Sequence, residues 1–75
     1  MSKVVFTKHA LEKLRQRKIS KNLVEKTIFF PQKVIALPDR FHAFRRFSKK
    51  YLKVVFVRSE GSIIVITQYF VDSIS

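Results

Sequence analysis

Cysteine is absent from this chain of 75 residues, and glycine and proline are scarce, with one and two copies. The lack of cysteine excludes disulfides, Cys-containing zinc sites and thiol nucleophiles. The sequence has neither a glycine-rich phosphate loop nor a nucleophile elbow. The longest apolar run, Ile63 to Ile66, is far too short for a transmembrane helix, and no signal peptide is recognisable. These absences predict a cytoplasmic protein.

Acidic residues are scarce as well, because five Asp and Glu stand against sixteen Lys and Arg and leave a net charge of +11. Between Arg40 and Arg58 there are seven Lys or Arg and no acidic residue. Self-repulsion of this size destabilises a compact chain unless an anion or an acidic partner relieves it. Each cation placed near a phosphate also releases a condensed counterion. We therefore expect nucleic acid or an acidic protein as the partner. The first helix is too weakly apolar for binding to a membrane surface.

The length of the chain and the periodicity of its apolar residues together predict the architecture. A chain this short buries only about 60% of the surface that its unfolded form exposes, which predicts one domain over residues 1–75. Residues 3–6 form a predicted strand, Thr7 and Ser20 are N-caps of two helices, and Pro31 ends the second helix. Strands are predicted at residues 32–37, 41–48, 51–58 and 63–70. Three antiparallel neighbours are the simplest arrangement, so we predict the order β-α-α-β-β-β. This is an α+β fold with an antiparallel sheet and two helices packed on one face.

The last strand carries two hydroxyl groups that could contact a ligand. Strict alternation predicts that Thr67 and Tyr69 share one face of this strand with Ile63 and Val65, and that Gln68 lies on the other. A tyrosine can stack on a base or bond a phosphate, although both residues are also ordinary strand formers. Neither face is fully polar, so the side away from the helices suits a ligand groove or a protein partner.

The first helix carries a cationic ridge. His9, Lys13 and Arg17 recur at i, i+4 and i+8 and therefore lie along one side of it. A histidine can move a proton near neutral pH, while Lys and Arg neutralise charge that develops on a phosphate. The same spacing is also typical of a solvated helix face. His9 and His42 lie on different predicted elements without a carboxylate cluster, so we expect no metal site.

The middle of the cationic run alternates basic and aromatic residues. Arg45 and Arg46 must point to opposite faces of their strand, and His42 and Phe44 share the face of Arg46. Lys53 lies on the following strand. Cations interleaved with aromatic rings suit single-stranded RNA, whose unstacked bases sit on rings while cations follow the backbone. The alternative is that most of the phenylalanines belong to the core.

Several short motifs resemble those of one known family. They are His9-Ala10 at the start of the first helix, Arg17 followed by Ile19-Ser20, Pro31, and the segment 65–69. They resemble small prokaryotic domains of uncharacterised function grouped with the RelE/ParE-like toxin superfamily, which also takes in barnase-like and colicin-like ribonucleases. The resemblance covers nearly the whole chain and agrees with the predicted order of elements.

The resemblance implies a metal-independent endoribonuclease that acts as the toxin of a toxin–antitoxin pair. The 2′-hydroxyl of RNA would attack the adjacent phosphate, without a cofactor. The partners would be RNA, free or ribosome-bound, and an acidic antitoxin protein. Carried over by position, the catalytic residues are His9, Arg17 and Tyr69, and the substrate-binding residues are Lys13, Arg45, Arg46, Lys53 and Thr67. Lys13 stands where the family more often has arginine, so it lacks the bidentate fork. Two alternatives are a non-catalytic RNA-binding module and a basic protein that docks to an acidic partner.

Overall fold

The structure, a computed structural model, describes residues 3–74 and consists of two helices packed on a five-stranded sheet. The elements in chain order are β1 (Lys3–Phe6), α1 (Lys8–Arg17), α2 (Lys21–Phe29), β2 (Lys33–Ala36), β3 (Phe41–Phe47), β4 (Lys50–Ser59) and β5 (Ser62–Val71). The predicted α+β class is confirmed. Strand β5 ends at Val71, one residue beyond the predicted end at residue 70, and Ser75 lies outside the described residues.

Both helices begin at the predicted caps. The Thr7 hydroxyl accepts a hydrogen bond from the Ala10 N–H at 3.1 Å, and the Ser20 hydroxyl accepts one from the Leu23 N–H at 3.2 Å. Each such cap stabilises a helix by about 1 kcal/mol. Between the helices Lys18 adopts a left-handed conformation with φ of 54°, which ends α1 within one residue. Neither helix is long and apolar enough to cross a membrane, and no other helix occurs in residues 3–74.

The sheet has the strand order β1-β5-β4-β3-β2. The four strands from β2 to β5 pair antiparallel with their neighbours in sequence. Two features differ from the predicted arrangement. The strand predicted at residues 32–37 is present as β2, but it joins the antiparallel group, which therefore has four members and not three. In addition, β1 pairs parallel with β5, so that the sheet is mixed. Periodicity identifies a strand but carries no information about its partner, which explains the second difference.

The hairpin between β4 and β5 turns on two residues, Glu60 and Gly61, whose φ angles are 46° and 79°. Positive φ at both central residues defines the turn type that matches the natural twist of paired strands. The β3–β4 connection is also short and places Ser48 at a φ of 62°.

The hydrophobic core lies between the helices and one face of the sheet. Helix α1 contributes Ala10 and Leu14, and α2 contributes Val24 and Ile28. The sheet contributes Ala43, Leu52, Val54, Phe56, Ile63 and Val65. Full burial of one such aliphatic or aromatic side chain stabilises the fold by about 1.5–3 kcal/mol. The prediction that both helices cover one face is confirmed.

A β-bulge interrupts the pairing of β4 with β5. Val55 pairs with Thr67 and the next residue, Phe56, pairs with Val65, so Ile66 is an extra residue on β5. The Ile66 carbonyl accepts a hydrogen bond from the Thr7 hydroxyl at 3.3 Å, which ties the bulge to the start of α1. A bulge of this kind re-aims the side chains that follow it.

The bulge changes which residues of β5 share a face. Before it, Ile63 and Val65 are buried against the helices; after it, Gln68 takes that side, fully buried, with its Nε2 donating to the Ala10 carbonyl at 2.9 Å. Thr67 and Tyr69 therefore lie on the face away from the helices. The prediction from strict alternation, which placed them with Ile63 and Val65, is wrong because it had no means of locating the extra residue.

Candidate nucleic-acid interface

The face of the sheet opposite the helices is called the open face here. Cross-strand pairing and alternation assign to its central part Lys33, Ile35, His42, Phe44, Arg46, Tyr51, Lys53, Val55, Thr67 and Tyr69. Two of these side chains, Phe44 and Val55, are buried at 1% and 5% exposure although no helix covers this face. The polar and charged side chains around them therefore lie over an apolar floor.

Lys53 lies in the middle of the open face between two aromatic rings. Its Nζ is 5.5 Å from the centre of the Tyr69 ring on β5 and 5.8 Å from the centre of the Phe44 ring on β3. Both residues pair directly with Lys53 across the sheet. Cation–π attraction on both sides holds the ammonium group above the sheet, with its donors available to an anion.

Arg17 reaches the open face from the end of α1. One of its terminal nitrogens donates to the Gln68 carbonyl at 2.8 Å and lies 3.4 Å from the Thr67 hydroxyl. Its guanidinium carbon is 5.5 Å from the centre of the Tyr69 ring. This path exists because β1 pairs only with residues 62–65 and leaves the rest of that edge of β5 without a strand. The structure thus brings together three predicted site residues, Arg17, Thr67 and Tyr69.

A second row of residues crosses the open face beside Lys53. Val55 on β4 pairs with Thr67 on β5 and with His42 on β3. At about 4.8 Å between neighbouring strands, His42 and Thr67 lie roughly 10 Å apart, one on each side of Val55. Lys53 precedes Val55 by two residues and therefore shares its face. Three polar side chains surround this small apolar centre.

The environment of His42 favours its neutral form. Partial burial lowers the pKa of the imidazole, and the positive charges of Lys53 and Arg40 lower it further. The Asp39 carboxylate opposes this effect, but a hydrogen bond from Arg40 engages it and lowers its own pKa. At neutral pH, His42 is therefore a neutral imidazole that can accept a proton.

His9 and Lys13 lie on the side of α1 that continues from Arg17 away from the core. Lys13 is half-buried and donates to the Gln16 side chain at 3.1 Å. His9 is exposed and makes no hydrogen bond to the other residues that the structure describes. It precedes Arg17 by eight residues, or about 12 Å along the helix axis. Among the hydrogen bonds of the described residues, those of Arg17 join this ridge to β5.

The cationic run divides between the two faces, as strand alternation requires. Arg46 lies on the open face, and its Nε donates to the Ser48 carbonyl at 2.9 Å. Arg45 lies on the helix side, where it donates to the Phe30 carbonyl at 2.7 Å and links α2 to β3. Arg58 is also on the helix side, over the Phe41 ring. Of the predicted substrate-binding residues, Arg45 therefore does not reach the open face.

Comparison with known proteins gives one match. Residues 6–70 match the family described as a domain of unknown function, DUF4258. The chain belongs to this family. No curated protein and no solved structure matches the chain. The matched region runs from the last residue of β1 to within one residue of the end of β5, so this DUF4258 domain includes the whole open face from β2 to β5.

The DUF4258 domain combines cationic side chains, hydroxyl groups and an imidazole on one surface. Arg17, Lys53 and Arg46 supply positive charge, and Thr67 and Tyr69 supply hydroxyls. Within residues 3–74, no three His, Cys, Asp or Glu side chains lie together as a metal site would require. Sequence reasoning placed His42 on the face of Arg46 and Phe44 but gave it no role. Its position across from Thr67 depends on the bulge, which the sequence pattern did not reveal.

Proposed function

We propose that this domain binds RNA on its open face and cleaves it as a metal-independent endoribonuclease, through attack of a 2′-hydroxyl on the adjacent phosphate. One observation carries the proposal. Arg17 from the helical layer and Lys53 from the sheet approach the same ring, that of Tyr69, at 5.5 Å each. Two cations from separate elements that meet at an aromatic ring fit a phosphate next to a stacked base.

The two cations have complementary roles. Arg17 uses one terminal nitrogen for Gln68 and Thr67, and its other N–H groups are available for a phosphate oxygen. Lys53 adds a second charge beside the same Tyr69 ring. Both would stabilise the charge that builds up on the phosphate in the transition state. Proton transfer requires a side chain that can accept or donate a proton, and the two histidines of this chain are His9, as the family resemblance implies, and His42.

The biological setting that we infer is a toxin of the RelE/ParE-like superfamily, active in the cytoplasm and held inactive by an acidic antitoxin. The net charge of +11 supports an acidic partner, because neutralisation relieves the self-repulsion of the domain. An antitoxin bound over the open face would block RNA at the same time. A short gene for an acidic protein beside the gene for this chain would support this setting, and an isolated gene would count against it.

The test compares RNA binding and RNA cleavage in matched variants. Lys53→Gln removes one charge from the open face, and Lys26→Gln removes one from the exposed side of α2. We expect Lys53→Gln alone to weaken binding to single-stranded RNA and to make the dependence of log affinity on log salt shallower by about 0.7–1. Free and ribosome-bound RNA serve as cleavage substrates.

Each outcome of this test separates the proposal from its rivals. Salt-sensitive binding at the open face together with cleavage supports the endoribonuclease. Binding with intact RNA replaces it by a non-catalytic RNA-binding module. An equal loss of RNA affinity in Lys53→Gln and Lys26→Gln, or no RNA binding at all, overturns the assignment of the open face. Docking to an acidic protein is then the remaining function.

A further inference from the structure

The centre of the open face brings an imidazole close to a lysine and a threonine hydroxyl. Val55 has three polar neighbours there: Thr67 beside it on β5, His42 beside it on β3, and Lys53 two residues earlier on its own strand. Directly paired side chains of antiparallel strands have Cβ atoms about 4.5–5.5 Å apart. A phosphate seated over Val55 would therefore lie within reach of all three. Val55 itself is 5% exposed and forms an apolar floor.

We infer that His42 is the general base of this site, held by the sheet on the opposite side of Val55 from Thr67 and Arg17. This inference rests on the proposed RNA cleavage and assigns its proton transfer to a residue outside the motifs of the family resemblance. The pairing of three adjacent strands fixes the relative positions of His42, Lys53 and Thr67, which therefore do not depend on a loop.

The charges around His42 are suited to this role. The cations that act on it are Lys53 on β4 and Arg40 just before β3, and Arg46 lies farther along the same face of β3. Lys33 lies on the same face of β2, next to Phe44. The nearby carboxylate, Asp39, is bound to Arg40 at 3.1 Å. A bound phosphate would offset the positive charge and strengthen the imidazole as a base just when substrate is present.

The reaction step balances with the RNA, His42 and water alone. Neutral His42 takes the proton of the 2′-hydroxyl while the 2′ oxygen attacks phosphorus. The bond from phosphorus to the 2′ oxygen forms, and the bond to the 5′ oxygen breaks. The departing 5′ oxygen takes a proton from water, and the hydroxide so formed recovers the proton from the His42 imidazolium. The products are a cyclic 2′,3′-phosphate end and a 5′-hydroxyl end.

His9 is less well placed for the same task. It lies about 12 Å along α1 from Arg17, the residue by which that helix contacts the open face. Its side chain is exposed and has no partner that orients it among the described residues. A general base must be held within hydrogen-bond reach of the proton that it removes. The strand register holds the backbone of His42 beside Val55, and its side chain is half-buried there, whereas the His9 side chain is exposed.

The experiment compares His42→Gln with His9→Gln in cleavage and in binding of the same single-stranded RNA. We expect His42→Gln to slow cleavage by about 100-fold or more, since general bases contribute about 10²–10⁴-fold. Its RNA affinity should stay within about threefold, because a neutral imidazole adds no charge to binding. The wild-type cleavage rate should rise with pH and level off, and His42→Gln should lack this rise. Retained cleavage in His42→Gln, or an unchanged pH profile, overturns the inference.

A second measurement keeps the inference testable if His42→Gln does not fold. The pKa of each histidine in the wild-type domain is followed by NMR with and without an RNA oligonucleotide made uncleavable by 2′-O-methyl groups. We expect binding to raise the pKa of His42 more than that of His9, because the phosphate counters Lys53. An unchanged His42 pKa overturns the inference. A wild-type domain that cleaves no RNA overturns the proposed function itself, whereas cleavage that depends on His9 alone overturns only the role of His42.

Discussion

Arg17 joins the helical layer to the open face, and its replacement by alanine has a stability cost that the structure allows us to work out. The mutation removes a hydrogen bond of 2.8 Å from a charged donor to the Gln68 carbonyl and a cation–π contact with Tyr69. Because Arg17 is exposed, we take about 1 kcal/mol for the hydrogen bond and roughly 0.5 kcal/mol for the ring contact. The sum, about 1.5 kcal/mol, corresponds to a fall of roughly 6–12 °C in the melting temperature of a domain this small.

The matched control for this prediction is Arg15→Ala. Arg15 is also a basic residue in the last turn of α1 and is exposed, so its loss removes the same charge and the same interaction with the helix dipole. The difference between the two melting temperatures, measured by circular dichroism, therefore isolates the contacts of Arg17 with β5. Arg17→Lys keeps the charge and should lose about half as much as Arg17→Ala. Equal melting temperatures for Arg15→Ala and Arg17→Ala would refute the reasoning.

Three further predictions concern the core, a turn and pH. Leu52→Ala should lower the free energy of unfolding in urea by about 2–5 kcal/mol, because Leu52 is fully buried, and the exposed Leu11→Ala should change it by less than about 0.5 kcal/mol. In the same assay, Gly61→Ala should lower the free energy of unfolding by about 1 kcal/mol. The cause is the φ of 79° alone, since a Cβ at this position meets no atom within 4 Å. An unchanged free energy of unfolding would contradict the turn assignment. Because folding lowers the pKa of His42, protonation of this histidine favours the unfolded state. The free energy of unfolding is therefore fully retained above the ordinary histidine pKa and falls as the pH drops from there towards the lowered value. Between pH 8 and pH 5, the melting temperature of His42→Gln should fall less than that of the wild type. Parallel curves for the two proteins would contradict the assignment of this pH dependence to His42.

The helices were predictable from the sequence because their signals are local. Thr7 and Ser20 cap the two helices within the segments where the apolar residues follow a helical period. The partner of β1 was not predictable, because the four residues of this strand look the same whether they pair parallel or antiparallel. The bulge was equally hidden, since Val65, Ile66 and Thr67 are all good strand formers and no glycine marks the extra residue.

The candidate site was predictable only in part. Arg17, Thr67 and Tyr69 were selected from short motifs, and the structure joins them although Arg17 and Thr67 are 50 residues apart in sequence. The contact of Lys53 with the Tyr69 ring depends on strand register, which no local pattern specifies. The same holds for His42, whose place opposite Thr67 requires the pairing of β3, β4 and β5 to be known. Short-range signals thus selected Arg17, Lys53, Thr67 and Tyr69 but gave no role to His42.

The bulge at Ile66 also determines where the length of this chain can change. Removal of Ile66 would restore a regular ladder in which Val65 and Thr67 become consecutive, with every other side chain of β5 still on its present face. Deletion of Thr67 would give the same regular ladder, with Ile66 opposite Val55. Deletion of any one residue from 68–70 would instead exchange the two faces across part of the strand. Positions 66 and 67 of β5 are therefore points of tolerance for a single-residue deletion, and the three positions that follow them are not.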